Sequence, residues 1–111
     1  MTEEVFTIGT VAFRATFDDE DVRLLIIGRQ YADGGLAVLA QKAETGEPFA
    51  TLSANFPEAG PLREGHFFLK TWSENAELAD VLVRVGFFEP VEDGMTVHSG
   101  YVEAHEYRVI G

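Results

Sequence analysis

The sequence predicts an α+β fold: an antiparallel β-sheet, built as a meander of hairpins, with one amphipathic helix at about 73–86 packed on one face. Three observations carry this. Only Ser73 to Gly86 has helical periodicity, with Leu78, Val81, Leu82 and Val85 at i, i+3, i+4 and i+7 and Glu74, Glu77, Asp80 and Arg84 on the other side. Most of the remainder is rich in β-branched and aromatic residues. Turn signals separate these runs, above all Asp33-Gly34 and Glu44-Thr-Gly-Glu47. The 111 residues are expected to form a single domain, 1–111, and 46% hydrophobic content with nine Phe supplies a core.

The first strand is expected from Val5 to Phe17, with Gly9 marking a bulge or bend. Asp18 to Asp21 is a run of acids, which like-charge repulsion places in a solvated turn. Val22 to Tyr31 and Leu36 to Ala43 pair across the Asp-Gly turn. Phe49 to Phe56 forms a fourth strand, with Ala50, Leu52, Ala54 and Phe56 on one face. Pro57 to Gly65, with two prolines and two glycines, is a loop. His66 to Trp72 is a fifth strand, with Lys70 and Trp72 on one face, leading into the helix. Ser73 is placed to cap the helix start through its hydroxyl, and Gly86 to end it in a left-handed conformation. Phe87-Phe88 is expected beneath the helix end, and Pro90 to Gly94 as a turn. Thr96 to Val102 and His105 to Ile110 read as one long strand, or two broken by a kink near Glu103-Ala104.

Nineteen acids against eight bases give a net charge of −11. Such a field disfavours direct contact with nucleic acid or an anionic membrane and favours basic partners. On charge alone, plain solubility is the weightier explanation. The chain has no cysteine, so disulfides and thiolate ligands are ruled out. The acidic start lacks the basic and apolar regions of a signal peptide, so a cytoplasmic location is expected.

Motifs for chemistry are sparse. Gly34-Gly35 belongs to a hairpin turn and opens no phosphate-binding helix. No nucleophile elbow is present. His66, His98 and His105 lie apart, and on one regular strand His98 and His105 would face opposite ways. A zinc site from these with Glu103 or Glu106 is therefore less favoured than surface or hydrogen-bonded histidines. No catalytic residue, metal or cofactor is expected. Trp72 reads either as an interface anchor or, more simply, as a plug between helix and sheet.

Two segments, Tyr31-Ala-Asp-Gly-Gly-Leu-Ala-Val38 and Gly46-Glu-Pro-Phe-Ala-Thr-Leu-Ser-Ala-Asn-Phe-Pro57, resemble a family of small proteins of unknown function carried on phages, plasmids and other mobile elements. Ser99-Gly-Tyr101 and Glu106-Tyr-Arg108 match the end of its pattern, so the likeness covers roughly residues 22–110. It departs at Ser53-Ala54 and at Lys70-Thr-Trp72, where the family pattern is more polar. The family carries no established catalytic residues. Mobile elements do carry many small acidic proteins that block host defences, including anti-CRISPR and anti-restriction proteins.

The resemblance and the charge together give the leading expectation: an anti-CRISPR-like inhibitor in a bacterial host cell. It would bind a basic nucleic-acid-handling protein, such as a CRISPR effector, through an acidic nucleic-acid-mimicking surface. The acids nominated for that surface are Asp18, Asp19, Glu20 and Asp21, with Glu74, Glu77 and Asp80 on the helix. The alternative is an accessory homo-oligomeric module that binds a protein or small ligand through the second sheet face. An enzyme is the least supported class.

Overall fold

The computed structural model describes residues 3–14, 21–31, 36–54, 56, 62–63, 65–72, 75–100 and 102–110. The α+β class holds: mostly antiparallel strands and one short helix. Strands β1 (Glu3–Phe13), β2 (Val22–Tyr31), β3 (Leu36–Lys42) and β4 (Pro48–Thr51) form a meander in chain order. The expected disruption at Gly9 is present as a register shift between Thr7 and Gly9. The β3–β4 turn closes with Lys42 N–H bonded to the Glu47 carbonyl and Gly46 N–H to that of Lys42, both at 2.8 Å. The stretches expected at Ala15 to Phe17, at Asp18 to Glu20 and at the Asp33-Gly34 turn lie outside the described residues.

The strands do not make one sheet, as expected from sequence, but two. The second contains β5 (Ser53–Ala54), β6 (His66–Leu69), β9 (Val102–Val109) and β7 (Phe88–Pro90) in that order, with β8 (Thr96–Ser99) also paired to β9. The join is at Leu52, which is fully buried. Its N–H bonds to the Val38 carbonyl at 2.8 Å, in the first sheet, and its carbonyl accepts from Lys70 N–H at 2.7 Å, beside the second. Ser53 Oγ accepts from Val38 N–H at 3.0 Å, where a backbone carbonyl would otherwise continue the ladder. The predicted strand Phe49 to Phe56 therefore kinks at its most buried residue and changes sheets.

Helix α1 (Ala76–Arg84) is shorter than predicted. Its N-cap is Asn75, whose side chain makes no capping bond and instead donates to the Thr51 carbonyl at 2.8 Å. The expected cap, Ser73, lies outside the described residues. The C-terminal end is as predicted. Gly86 has φ +90°, and the N–H groups of Gly86 and Phe87 reach back to the carbonyls of Val83 and Leu82 at 3.1 and 3.0 Å. Only glycine enters that conformation freely, so the last helical carbonyls gain partners. Leu78, Ala79 and Leu82 are buried, whereas Val85, counted in the apolar stripe, is 51% exposed.

One cluster joins the layers: Leu24, Ile26, Val38 and Ala40 from the first sheet, Phe67, Leu69 and Phe88 from the second, and Leu78, Ala79 and Leu82 from α1. Each large side chain buried there contributes about 1.5–3 kcal/mol. No helix among the described residues is long and apolar enough to cross a membrane.

Strands β7 and β8 lie along the same edge of β9, a pairing not visible in the sequence. Between them Glu106 bonds through its carbonyl to Val91 N–H and through its N–H to the Met95 carbonyl, each at 3.0 Å. Glu92, Asp93 and Gly94 bulge out opposite that single residue. The final hairpin turns at Gly100 (φ +61°), so the break falls there and not at Glu103-Ala104.

Candidate functional site

Alternation along β2 and β3 turns Leu24, Ile26, Val38 and Ala40 inward to the core. The opposite face then receives Ile27 and Arg29 from β2, Leu39 and Gln41 from β3, and Thr51 from β4, where Leu39 pairs both Ile27 and Thr51. This outer face is not flat. The chain leaving β6 passes beside it, because Lys70 N–H is tied to Leu52 and the Asn75 side chain to Thr51. The result is a groove of about 610 Å³, within the usual range for small-molecule sites. Ile27, only 9% exposed, lies in its lining and is buried apart from the main core. Pro48 and the 39% exposed Phe49 contribute at the β4 side.

The charge of this groove is opposite to that of the molecule. Arg29 and Lys70 both line it, and among the described residues no aspartate or glutamate does. Among the described residues neither side chain forms an ion pair or hydrogen bond, whereas Arg14, Arg84 and Arg108 pair with Asp21, Asp80 and Glu89. Lys70 does not share a strand face with Trp72, as expected, because β6 stops at Leu69. That early stop frees Lys70 to line the groove. Trp72 is half-buried in the connection to α1.

A second polar site lies on the second sheet. Glu106 is 7% exposed, the one buried charged side chain among the described residues. Its Oε2 lies 2.5 Å from His66 Nδ1, and its Oε1 accepts from Met95 N–H at 2.9 Å. An ionised carboxylate only accepts, so Nδ1 carries the proton of that contact. Burial pushes the Glu106 pKa up. The hydrogen bonds from Met95 and His66, with the charges of His66 and Arg63, outweigh burial and hold it below its ordinary 4.5. The carboxylate thus ties the Glu92–Gly94 bulge to β6. The bulge is tight: a methyl group on Gly94 would sit 2.9 Å from the Cβ atoms of Glu106 and Val91 and 3.0 Å from the Val91 carbonyl oxygen. None of these is the free end of a side chain. Gly94→Ala is therefore expected to cost about 1–3 kcal/mol, as overpacking does. Thermal unfolding measures it, and an unchanged midpoint would show that the bulge yields.

The nominated acids are only partly described. Asp18, Asp19, Glu20 and Glu74 lie outside the described residues. Asp21 accepts from Arg14 Nε at 3.0 Å and Asp80 from Arg84 Nε at 2.9 Å, all four side chains being more than half exposed. Glu77 is exposed on the same helix. Ala43 N–H bonds to the Arg23 carbonyl, which brings Glu44 and Glu47 to the same end of the first sheet as Asp21. Arg14, Arg23 and Lys42 stand at that end too, so the described charges there balance.

The histidines are rearranged by the final hairpin. Thr96 pairs with His105 and His98 with Glu103, so His98 and His105 share one face, contrary to expectation. His105 contacts Glu103 through Nε2 at 3.2 Å and Thr96 through Nδ1 at 3.2 Å. Among the described residues no group of three or more metal-ligating side chains could hold an ion.

No family model, curated protein or solved structure matches this chain. The resemblance to mobile-element proteins thus rests on the quoted segments alone. The two features sequence reasoning missed are the Arg29–Lys70 groove and the Glu106–His66 pair. For Glu106 a signal existed: it shares strand parity with the small apolar Ala104. For Arg29 and Lys70 none did, because they are 41 positions apart and meet only through the kink at Leu52.

Proposed function

We propose that this domain works by binding rather than by catalysis, and that the groove over Ile27 is its recognition site. One observation carries the reading: among the described residues, two cations without ion-pair partners line a single concavity and no acid does, in a chain with nineteen acids. Like charges gathered without counter-charges repel and gain nothing for the fold. A bound group that answers them accounts for their placement. The apolar lining beneath gives such a group surface to bury.

The test is the backbone amide NMR spectrum of the protein, recorded against a mixed panel of acidic, neutral and basic small molecules. Binders are expected to shift the amides of Ile27, Leu39 and Thr51. A Thr51→Trp variant fills the groove from an exposed strand position and is expected to stay folded yet lose those shifts. Shifts that persist in the variant, or that map to the β8–β9 hairpin, count against the reading.

A second reading takes the −11 charge as its observation: the acidic exterior meets a basic nucleic-acid-handling protein, as an inhibitor of host defence would. A tagged-protein pull-down tests it. Capture of a basic partner that is released by moderate salt supports this reading, and salt-insensitive capture opposes the electrostatic mechanism.

A further inference from the structure

We propose that the groove takes a small organic acid: one carboxylate on a compact apolar body. The carboxylate lies between Arg29 and Lys70, and the body covers Ile27, Leu39 and Pro48. This rests on the groove being the recognition site and adds the chemical class of its ligand.

The charge argument comes first. The guanidinium of Arg29 presents a planar fork that matches a carboxylate with two parallel hydrogen bonds. Lys70 adds a point charge from the opposite wall, carried on the connection to α1. The described lining has no anion to hold a basic ligand. A polyanion such as a nucleic acid strand would meet the net charge of −11 as soon as it left the groove. A small anion does not, because its charge stays within reach of the two cations. The field outside is screened over about 10 Å at ordinary salt.

The body of the ligand follows from the floor. Ile27 and Leu39 are adjacent across β2 and β3, and Pro48 continues the apolar surface at the β4 side, where the Phe49 ring meets Phe13 of the core edge to face. A ligand that were all charge, such as inorganic phosphate, would leave this surface wet. Asn75 refines the fit. One Nδ2–H is committed to the Thr51 carbonyl, which leaves the second Nδ2–H to donate and Oδ1 to accept from a hydroxyl or N–H on the ligand.

The experiment uses matched pairs: octanoate with octanamide, and naphthalene-2-carboxylate with its amide, titrated into the whole protein and followed by the amide shifts of Leu39 and Thr51. Each acid is expected to bind at least about tenfold more tightly than its amide, because hydrogen bonds to charged groups are the stronger kind. Arg29→Gln and Lys70→Gln are each expected to weaken the acids by about tenfold, leaving the amides and the unfolding midpoint nearly unchanged. Added salt is expected to weaken acids only. Amides that bind as tightly as acids overturn the organic-acid assignment while the groove remains a recognition site. If neither member of either pair moves the groove amides, the assignment falls. A mixed panel that also fails to move them takes the recognition site with it.

Discussion

Phe88→Ala is expected to destabilise the protein by about 3–5 kcal/mol, a large part of the total stability of a domain this size. Phe88 is 1% exposed and belongs to the cluster that the helix shares with both sheets. Its ring meets Phe67 edge to face, with centroids 5.0 Å apart and planes at 73°. The residue also begins β7, directly after the glycine cap of α1 and Phe87. Its truncation removes burial, an aromatic pair and the anchor that seats the helix end, in one change. Urea unfolding at neutral pH measures the effect. Val85→Ala is the control: Val85 lies in the same apolar stripe but is 51% exposed, so a change within about 0.5 kcal/mol is expected. If the two variants cost the same, the helix is not held by the face described here.

That contrast also shows what was legible in the sequence. The helical stripe, the glycine cap at Gly86 and the two hairpins from β2 to β4 are written in local periodicity and turn chemistry, and they stand; the pairing of β1 with β2 was not legible. Val85 could not be told from Leu82 by spacing, because periodicity gives the direction of a side chain and not where the neighbouring layer ends. The kink at Leu52 was illegible for a related reason. Phe49 to Phe56 alternates perfectly well, and the change of sheet is imposed by Val38 and Lys70, which are remote in sequence. The β7–β8 edge was missed because Val91 to Met95 carries the proline-, acid- and glycine-rich neighbourhood of an ordinary turn. Only its pairing with Glu106 makes it a bulge in a strand. The candidate site was the least legible part. Conspicuous acids drew attention, yet Asp21 and Asp80 are each answered by an arginine. Arg29 and Lys70 make no ion pair among the described residues, as Arg23 and Lys42 do not, but the first two share one groove.

Glu106→Ala is expected to cost about 3 kcal/mol at pH 7, in the range found when one member of a buried pair is removed. The variant leaves His66 Nδ1 and Met95 N–H facing a space where the carboxylate stood, beneath a bulge held by that same residue. Packing alone does not explain a loss of this size, and the pH dependence separates the two causes. The Glu106 carboxyl is held below its ordinary 4.5 in the folded protein, so the folded state binds its proton less readily than the unfolded chain. Its contribution is therefore fully present above the unfolded value. It is lost as pH falls through the lower, folded value. The stability gap between the wild type and Glu106→Ala should narrow as pH falls below about 4.5. Other carboxylates titrate in both proteins and largely cancel in the difference. Glu106→Gln keeps the volume and removes the charge, so it should lose less than Ala at pH 7 and converge on the wild type in acid. A gap that ignores pH would assign Glu106 to packing. A gap that closes in acid makes the ionised carboxylate the group that holds β6, β9 and the bulge together.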